Sequence, residues 1–450
     1  MDNGQLPESA LLDELWQRYL PKGSLRERLA KGVFWSFAGA LISRVLALVA
    51  SILVARMLGK EHFGELGIIQ STVGMFGAFA GFGLGLTATK YVAEFRVKDP
   101  SKAGRIIAFS SATAVVSGAI MAVVLAVLAP WLAAKTLAAP HLAGLLRISA
   151  LLLFLGAVNG AQTGALAGFE AFKTIAKVSL AAGVLTFPCM VGGVYIAGLE
   201  GAVWGLAVSL AANWLLNHIA LRVEARRANV PLHLSGCMQE RSVLWTFSLP
   251  AVLAVAMIGP VTWLCNAILV NRPNGYSEMG IFNAANQWFA ALMFLPSVLA
   301  QATMPMLSER LGDGDALRSK KILSYSIKLN ALVILPIAIA GSVASPYIMS
   351  LYGEGFAGAW TTLVVVFLTA GVLAVQVPVG NIIIASGKLW TGFVMNSGWA
   401  VAFLIFTLIL VSYGALGLAG ARLIAYFFHA TWTFGFAYLV LRQSRGVSHE

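Results

Sequence analysis

Residues 34–67 read FWSFAGALISRVLALVASILVARMLGKEHFGELG. Between Lys31 and Arg56 the only charged residue is Arg44, and the rest is almost wholly apolar. A helix crossing the roughly 30 Å hydrocarbon core of a bilayer needs about 20 such residues. The stretch predicts one crossing up to about Arg56, a polar break from Gly59 to Glu61, and a second crossing that begins near Gly64.

The same alternation continues along the chain. Apolar spans are expected at roughly 32–56, 64–87, 105–130, 143–167, 176–197, 201–221, 243–270, 280–306, 322–349, 359–385, 390–412 and 416–440, with polar breaks between them. Composition agrees. The chain has 450 residues, of which 59% are hydrophobic and 11% charged, and its mean hydropathy is +0.81. A soluble domain carries about 25% charge, so this chain cannot coat itself for water. The expectation is an all-α membrane protein of about twelve transmembrane helices, a multi-pass protein of the bacterial inner membrane. No catalytic set, metal-ligand cluster or cofactor motif occurs, so no enzyme, metal or cofactor is predicted. Gly81–Gly85 has G-x-G spacing, but no strand precedes it and no Lys-Ser/Thr follows. Cys189, Cys237 and Cys265 form no C-x-x-C pair.

The net charge of +12 would point to nucleic acid in a soluble protein. Its placement points elsewhere. With the N-terminus in the cytoplasm, the inside segments hold Arg18 to Lys31, Lys90 to Arg105, Lys173 and Lys177, Arg222 to Arg241, Arg310 to Lys328, Lys388, Arg442 and Arg445. The exceptions are Arg44, Arg56, Lys60, Lys135, Arg147, Arg272 and Arg422. Basic residues are retained on the cytoplasmic side, so both termini are placed there and no nucleic-acid partner is needed. Leu11, Leu12, Leu15, Trp16, Tyr19 and Leu20 follow helical spacing and define a candidate interfacial helix within the tail 1–30.

Repeated landmarks divide the chain. Phe34-Trp35-Ser36 matches Leu244-Trp245-Thr246, Glu65-Leu66-Gly67 matches Glu278-Met279-Gly280, and Glu94 matches Glu309. These matches predict an N-lobe at 31–222, a cytoplasmic linker at 223–242, a C-lobe at 243–441 and a cytoplasmic tail at 442–450. Each lobe would hold six helices. Six is even, so the lobes form a parallel pseudo-repeat around a central cleft.

An arginine facing lipid at mid-depth costs at least about 2.5–3.5 kcal/mol, so Arg44 is expected to face a wet cleft, where its planar fork suits paired phosphate oxygens. The alternative is a structural arginine bonded to helix carbonyls. Arg422, Arg272 and Arg147 are further candidates for the cleft or its exit. No Asp or Glu falls mid-span, so the cleft should prefer an anion to a cation. Among polar residues on helical faces, Asn159, Asn283 and Gln287 are candidate sugar contacts, although such residues more often join helices.

Ser43-Arg44-Val45-Leu46, Val54-Ala55-Arg56, Leu58-Gly59, Phe63-Gly64 and Lys90-Tyr91-Val92-Ala93-Glu94 together resemble the polysaccharide (O-antigen/exopolysaccharide) flippases of the multidrug/oligosaccharidyl-lipid/polysaccharide exporter superfamily. That resemblance implies two lobes in a V, alternating access, and a polyprenyl-pyrophosphate-linked oligosaccharide moved from the cytoplasmic to the periplasmic leaflet, its tail staying outside between the lobes. It also implies work beside a polysaccharide polymerase and glycosyltransferases. Lipid II flippases share the Ser-Arg-Val-Leu stretch but carry a further arginine where Ala50 stands here, which favours a general polysaccharide flippase. A cation-coupled multidrug antiporter and a non-transporting membrane scaffold are the competing readings.

Overall fold

The computed structural model describes residues 25–233, 235–244, 248, 257–312, 316–386 and 389–446. The candidate interfacial helix at Leu11–Leu20 and the last residues of the C-terminal tail lie outside them. The long helices are α1 (Leu25–Ala80), α2 (Leu84–Phe95), α3 (Pro100–Trp131), α4 (Ala143–Gly168), α5 (Phe172–Arg227), α6 (Ile258–Val270), α7 (Gly275–Gly312), α8 (Ala316–Leu351), α9 (Trp360–Ala385), α10 (Leu389–Leu410) and α11 (Gly414–Gly446). One further turn of helix, Glu354–Ala357, precedes α9.

Two of these helices are too long for a single crossing. α1 and α5 have 56 residues each, about 84 Å at 1.5 Å per residue. Each breaks where glycine permits a positive φ, at Gly59 (φ 73°) and Gly198 (φ 55°). At Gly198 the chain doubles back so tightly that a Cβ on Gly201 would lie 1.8 Å from the Gly193 carbonyl oxygen. At Gly59 the two arms of α1 meet different parts of α7. Gly64, past the break, meets Gly280 of α7. Arg44, before it, meets Phe294 further along α7. Both breaks fall in the gaps expected from the sequence.

By length and composition, seven stretches among the described residues can cross a membrane, including Pro100–Thr136, Leu317–Leu351 and Trp360–Ile383. Exposed Val127, Leu332, Val343 and Val394 give these helices an apolar outer face, as lipid requires. Helix starts are legible locally. Pro100 opens α3, and the Asp99 carboxylate accepts from the Lys102 amide at 2.9 Å.

The first half packs as α1 on α5, α3 on α4, α4 on α5 and α2 on α4. The second packs as α8 on α9, α10 on α11, and α9 on both α7 and α11. The halves meet mainly where α1 touches α7 and α6. That contact is closest near the Gly59 turn, where a Cβ on Gly64 would lie 1.9 Å from the Tyr276 carbonyl oxygen and one on Gly280 1.9 Å from that of Lys60. This is the Gly59 end of the molecule. The opposite end carries the connection after Arg227, with its 3₁₀ turn at Cys237–Arg241. There Glu240 accepts from Arg105 at 3.1 Å.

Candidate functional site

The site is built on two parallel helices, α7 and α11, pinned together at their first turns. The Glu278 carboxylate of α7 accepts from the Ala415 amide at the start of α11, at 2.8 Å. A carboxylate there satisfies an orphan N–H and meets the positive end of the helix dipole. Gly414 makes room for it, since a Cβ on that residue would lie 2.3 Å from Glu278 Oε2. Both helices then run from the Gly59 end in the same direction. Two turns in, about 12 Å along each axis, Asn286 and Arg422 face each other. Arg422 Nη1 donates to Asn286 Oδ1 at 2.8 Å.

Arg422 is only 6% exposed. Its guanidinium lies 4.4 Å from the Phe289 ring centre and 5.1 Å from that of Phe282. Such cation–π contacts are worth about 0.5–2 kcal/mol each and leave the in-plane donors free. Nε and Nη2 have no hydrogen-bond partner, and no salt bridge to Arg422 occurs among the described residues. A buried cation without a counter-charge costs several kcal/mol, and an anion is the chemistry that would satisfy these two donors.

Arg422 borders a cavity of about 360 Å³ between the halves. α1 contributes Gln70 and Ser71, α6 contributes Thr262 and Asn266, and α7 contributes Asn283, Asn286 and Gln287. Asn266 Nδ2 donates to Ser71 Oγ at 2.9 Å, joining the walls, while its Oδ1 has no partner. Asn283 Nδ2 reaches the Phe63 carbonyl at 3.4 Å. Among the described lining residues, Arg422 is the one charged group and none is Asp or Glu. The chamber is cationic, amide-rich and closed toward the Gly59 end by the Gly64–Gly280 crossing.

The structure distributes the sequence candidates unevenly. Arg422, Asn283 and Gln287 come together in this cavity. Arg44 does not line it. It is exposed, with its guanidinium 5.9 Å from the Phe294 ring centre across the boundary between the halves. Arg147 is exposed near the start of α4. Arg272 lies in the α6–α7 turn and lines a crevice of about 460 Å³ with Glu61 and Tyr276. Asn159 is buried inside the first half, where it donates to the Leu210 carbonyl and accepts from Asn217, both at 3.1 Å. Sequence reasoning passed over Asn286, Ser71 and Thr262. The spacing of Asn283 and Asn286 on one helical face was the available signal for Asn286. Among the described residues no cluster of three or more His, Cys, Asp or Glu could hold a metal ion.

The family described as "Polysaccharide biosynthesis protein" matches residues 29–310, more than half of the 450 residues. A second, described as MatE, matches residues 250–402. EpsE of Ralstonia solanacearum, an EPS I polysaccharide export inner membrane protein, is 24% identical over 399 residues, covering 86% of this chain and 88% of that protein. EpsE of Ralstonia nicotianae aligns at 25% identity over 190 residues, 42% of this chain and 44% of that protein, so this second match spans under half of its relative. The lipid III flippase of Escherichia coli K12 is 23% identical over 318 residues, 70% of this chain and 74% of the flippase. A solved inward-facing multidrug resistance transporter of the MATE family, in the MOP superfamily, superposes with a TM-score of 0.76 at 15% identity, covering 92% of this chain and 99% of the other. That likeness establishes the fold. With the fold and the match over residues 29–310 in hand, this chain belongs to the polysaccharide biosynthesis protein family, as a membrane transport protein and not an enzyme.

Proposed function

We propose that this protein is a flippase that carries a polyprenyl-pyrophosphate-linked oligosaccharide from the cytoplasmic to the periplasmic leaflet by alternating access. The observation that carries this reading is Arg422, buried at the wall of the interlobe cavity with Nε and Nη2 unpartnered. A diphosphate supplies paired anionic oxygens for those donors. The amides of Asn283, Asn286 and Gln287 suit the polar sugar that follows. In this reading the chain spans the inner membrane twelve times with both termini cytoplasmic. The lobes comprise 31–222 and 243–441, and the Gly59 end faces the periplasm. Arg44 lines the approach from the cytoplasm. The matched EpsE proteins and the lipid III flippase support the class of cargo.

The test is export in a strain that lacks the chromosomal copy. A charge-assisted hydrogen bond is worth about 1.5–3 kcal/mol, so Arg422→Ala should cut polymer export at least about 10-fold at unchanged protein abundance. Arg422→Lys, which keeps charge but loses the fork, should fall between. Wild-type export from Arg422→Ala would contradict the reading. The MatE match over residues 250–402 favours a second reading, a cation-coupled drug antiporter. Such a protein needs a carboxylate for its cation, and none lines the cavity among the described residues. Drug efflux from vesicles against a pH or Na⁺ gradient separates the two.

A further inference from the structure

A second cavity, about 460 Å³, lies against the first. It is formed by α1, α2 and α4, and Gly74 lines both spaces. Its character is opposite. Val73, Leu86, Leu152 and Leu153 line it with alanines and seven glycines, and none of its lining side chains carries a charge or a hydrogen-bonding group.

The glycines are informative because some have no packing role. At Gly85 and Gly164 the backbones touch, and a Cβ on Gly164 would lie 2.1 Å from the Gly85 carbonyl oxygen. Gly74, Gly156 and Gly160 differ, since a Cβ on any of them would meet nothing within 4 Å. Glycine weakens a helix relative to alanine, and no neighbouring helix here demands it. Three helical glycines therefore keep a space open, beside a chamber whose arginine is buried and unpartnered.

We propose that this glycine-lined groove holds the isoprenoid units nearest the diphosphate of the lipid-linked substrate. The proposal rests on the reading of the Arg422 cavity as the diphosphate site. The two compartments match the two parts of such a molecule, joined at Gly74 as the chain joins the head. A sugar would fare badly in the groove, because its hydroxyls would lose water and gain no hydrogen bond. A hydrocarbon chain has no hydrogen bonds to lose there and meets an apolar wall like the lipid it leaves. The tail thus does not remain wholly between the lobes, as the sequence reading expected. Its first units enter the N-lobe wall and only the remainder stays in the bilayer.

The test uses the full chain in phospholipid nanodiscs and a benzophenone-bearing farnesyl pyrophosphate as photoprobe, with labelled peptides mapped by mass spectrometry. The expected labels fall on α1 after Val73, on α2 and on α4 between Leu152 and Gly160. Unlabelled farnesyl pyrophosphate should displace them. Gly156→Leu and Gly160→Leu place a side chain in open space, so both should fold, and each should reduce groove labelling at least tenfold. Labels confined to outward faces such as α8, or groove labels indifferent to both variants, would overturn the proposal. So would groove labels that farnesyl pyrophosphate fails to displace, which report ordinary bilayer lipid. Competition by inorganic pyrophosphate, lost in Arg422→Ala, reads the head site separately. Its absence alongside variant-sensitive groove labels sinks the diphosphate reading and leaves the groove standing.

Discussion

A single methyl group at Gly64 tests whether the crossing of α1 and α7 is the seal on the Gly59 end. In the structure a Cβ there would lie 1.9 Å from the Tyr276 carbonyl oxygen and 2.8 Å from the Gly280 amide nitrogen, both backbone atoms. No rotamer relieves that clash. The closest approach must lengthen from 1.9 to at least 3.4 Å, the near edge of ordinary contact, and two helices must part to allow it. Overpacking of this kind costs about 1–3 kcal/mol. If the cost falls only on the closed state, the equilibrium moves toward the state open at this end by about 5- to 150-fold. The assay places one cysteine at Ser71, on the cavity wall, after replacing Cys189, Cys237 and Cys265. A membrane-impermeant maleimide is then added to intact cells. Gly64→Ala should speed labelling by that factor. Gly192→Ala, whose new Cβ meets nothing within 4 Å, should not. An unchanged rate in a folded Gly64→Ala protein would refute the seal.

Other consequences follow from the same contacts. Glu278→Ala removes the carboxylate that holds the α11 amide, so it should destabilise the protein by about 0.5–2 kcal/mol in thermal unfolding. It should also impair export, because Arg422 loses its register against Asn286. Asn159→Ala strips Asn217 of a partner inside the first half. It should lower the unfolding temperature by the equivalent of about 0.6–2 kcal/mol and leave export per molecule intact. Arg44→Ala, at an exposed position, should reduce export in the same complementation assay without changing abundance or helical circular dichroism, and by less than Arg422→Ala. Full export from Arg44→Ala would confine the mechanism to the inner cavity.

The all-helical membrane class was legible because lipid imposes one demand, a long apolar helix, and composition records it directly. Even the turns at Gly59 and Gly198, inside otherwise unbroken helices, sit where charge and glycine interrupt the pattern. The site was harder to read. Arg422 is legible as a charge in an apolar span, but its place near the start of that span fits a helix end as well as a site. The missing fact was the Glu278–Ala415 contact, 137 residues apart in sequence, which sets which side of α11 meets α7. Small polar residues are ambiguous for a different reason. Thr72 spends its hydroxyl on the Ile68 carbonyl of its own helix at 2.8 Å, whereas neighbouring Ser71 turns to the cavity. Spacing alone does not separate them. Asn159 and Asn283 look alike in sequence, but one finds Asn217 inside its own half and the other borders the space between halves.

The most direct measurement is a cryo-electron microscopy map of the protein in nanodiscs with undecaprenyl pyrophosphate. The account predicts diphosphate density in the chamber between α1, α6, α7 and α11, with phosphate oxygens about 3 Å from the Arg422 donors. A map with the diphosphate bound elsewhere, and Arg422 still alone against Phe282 and Phe289, would contradict it.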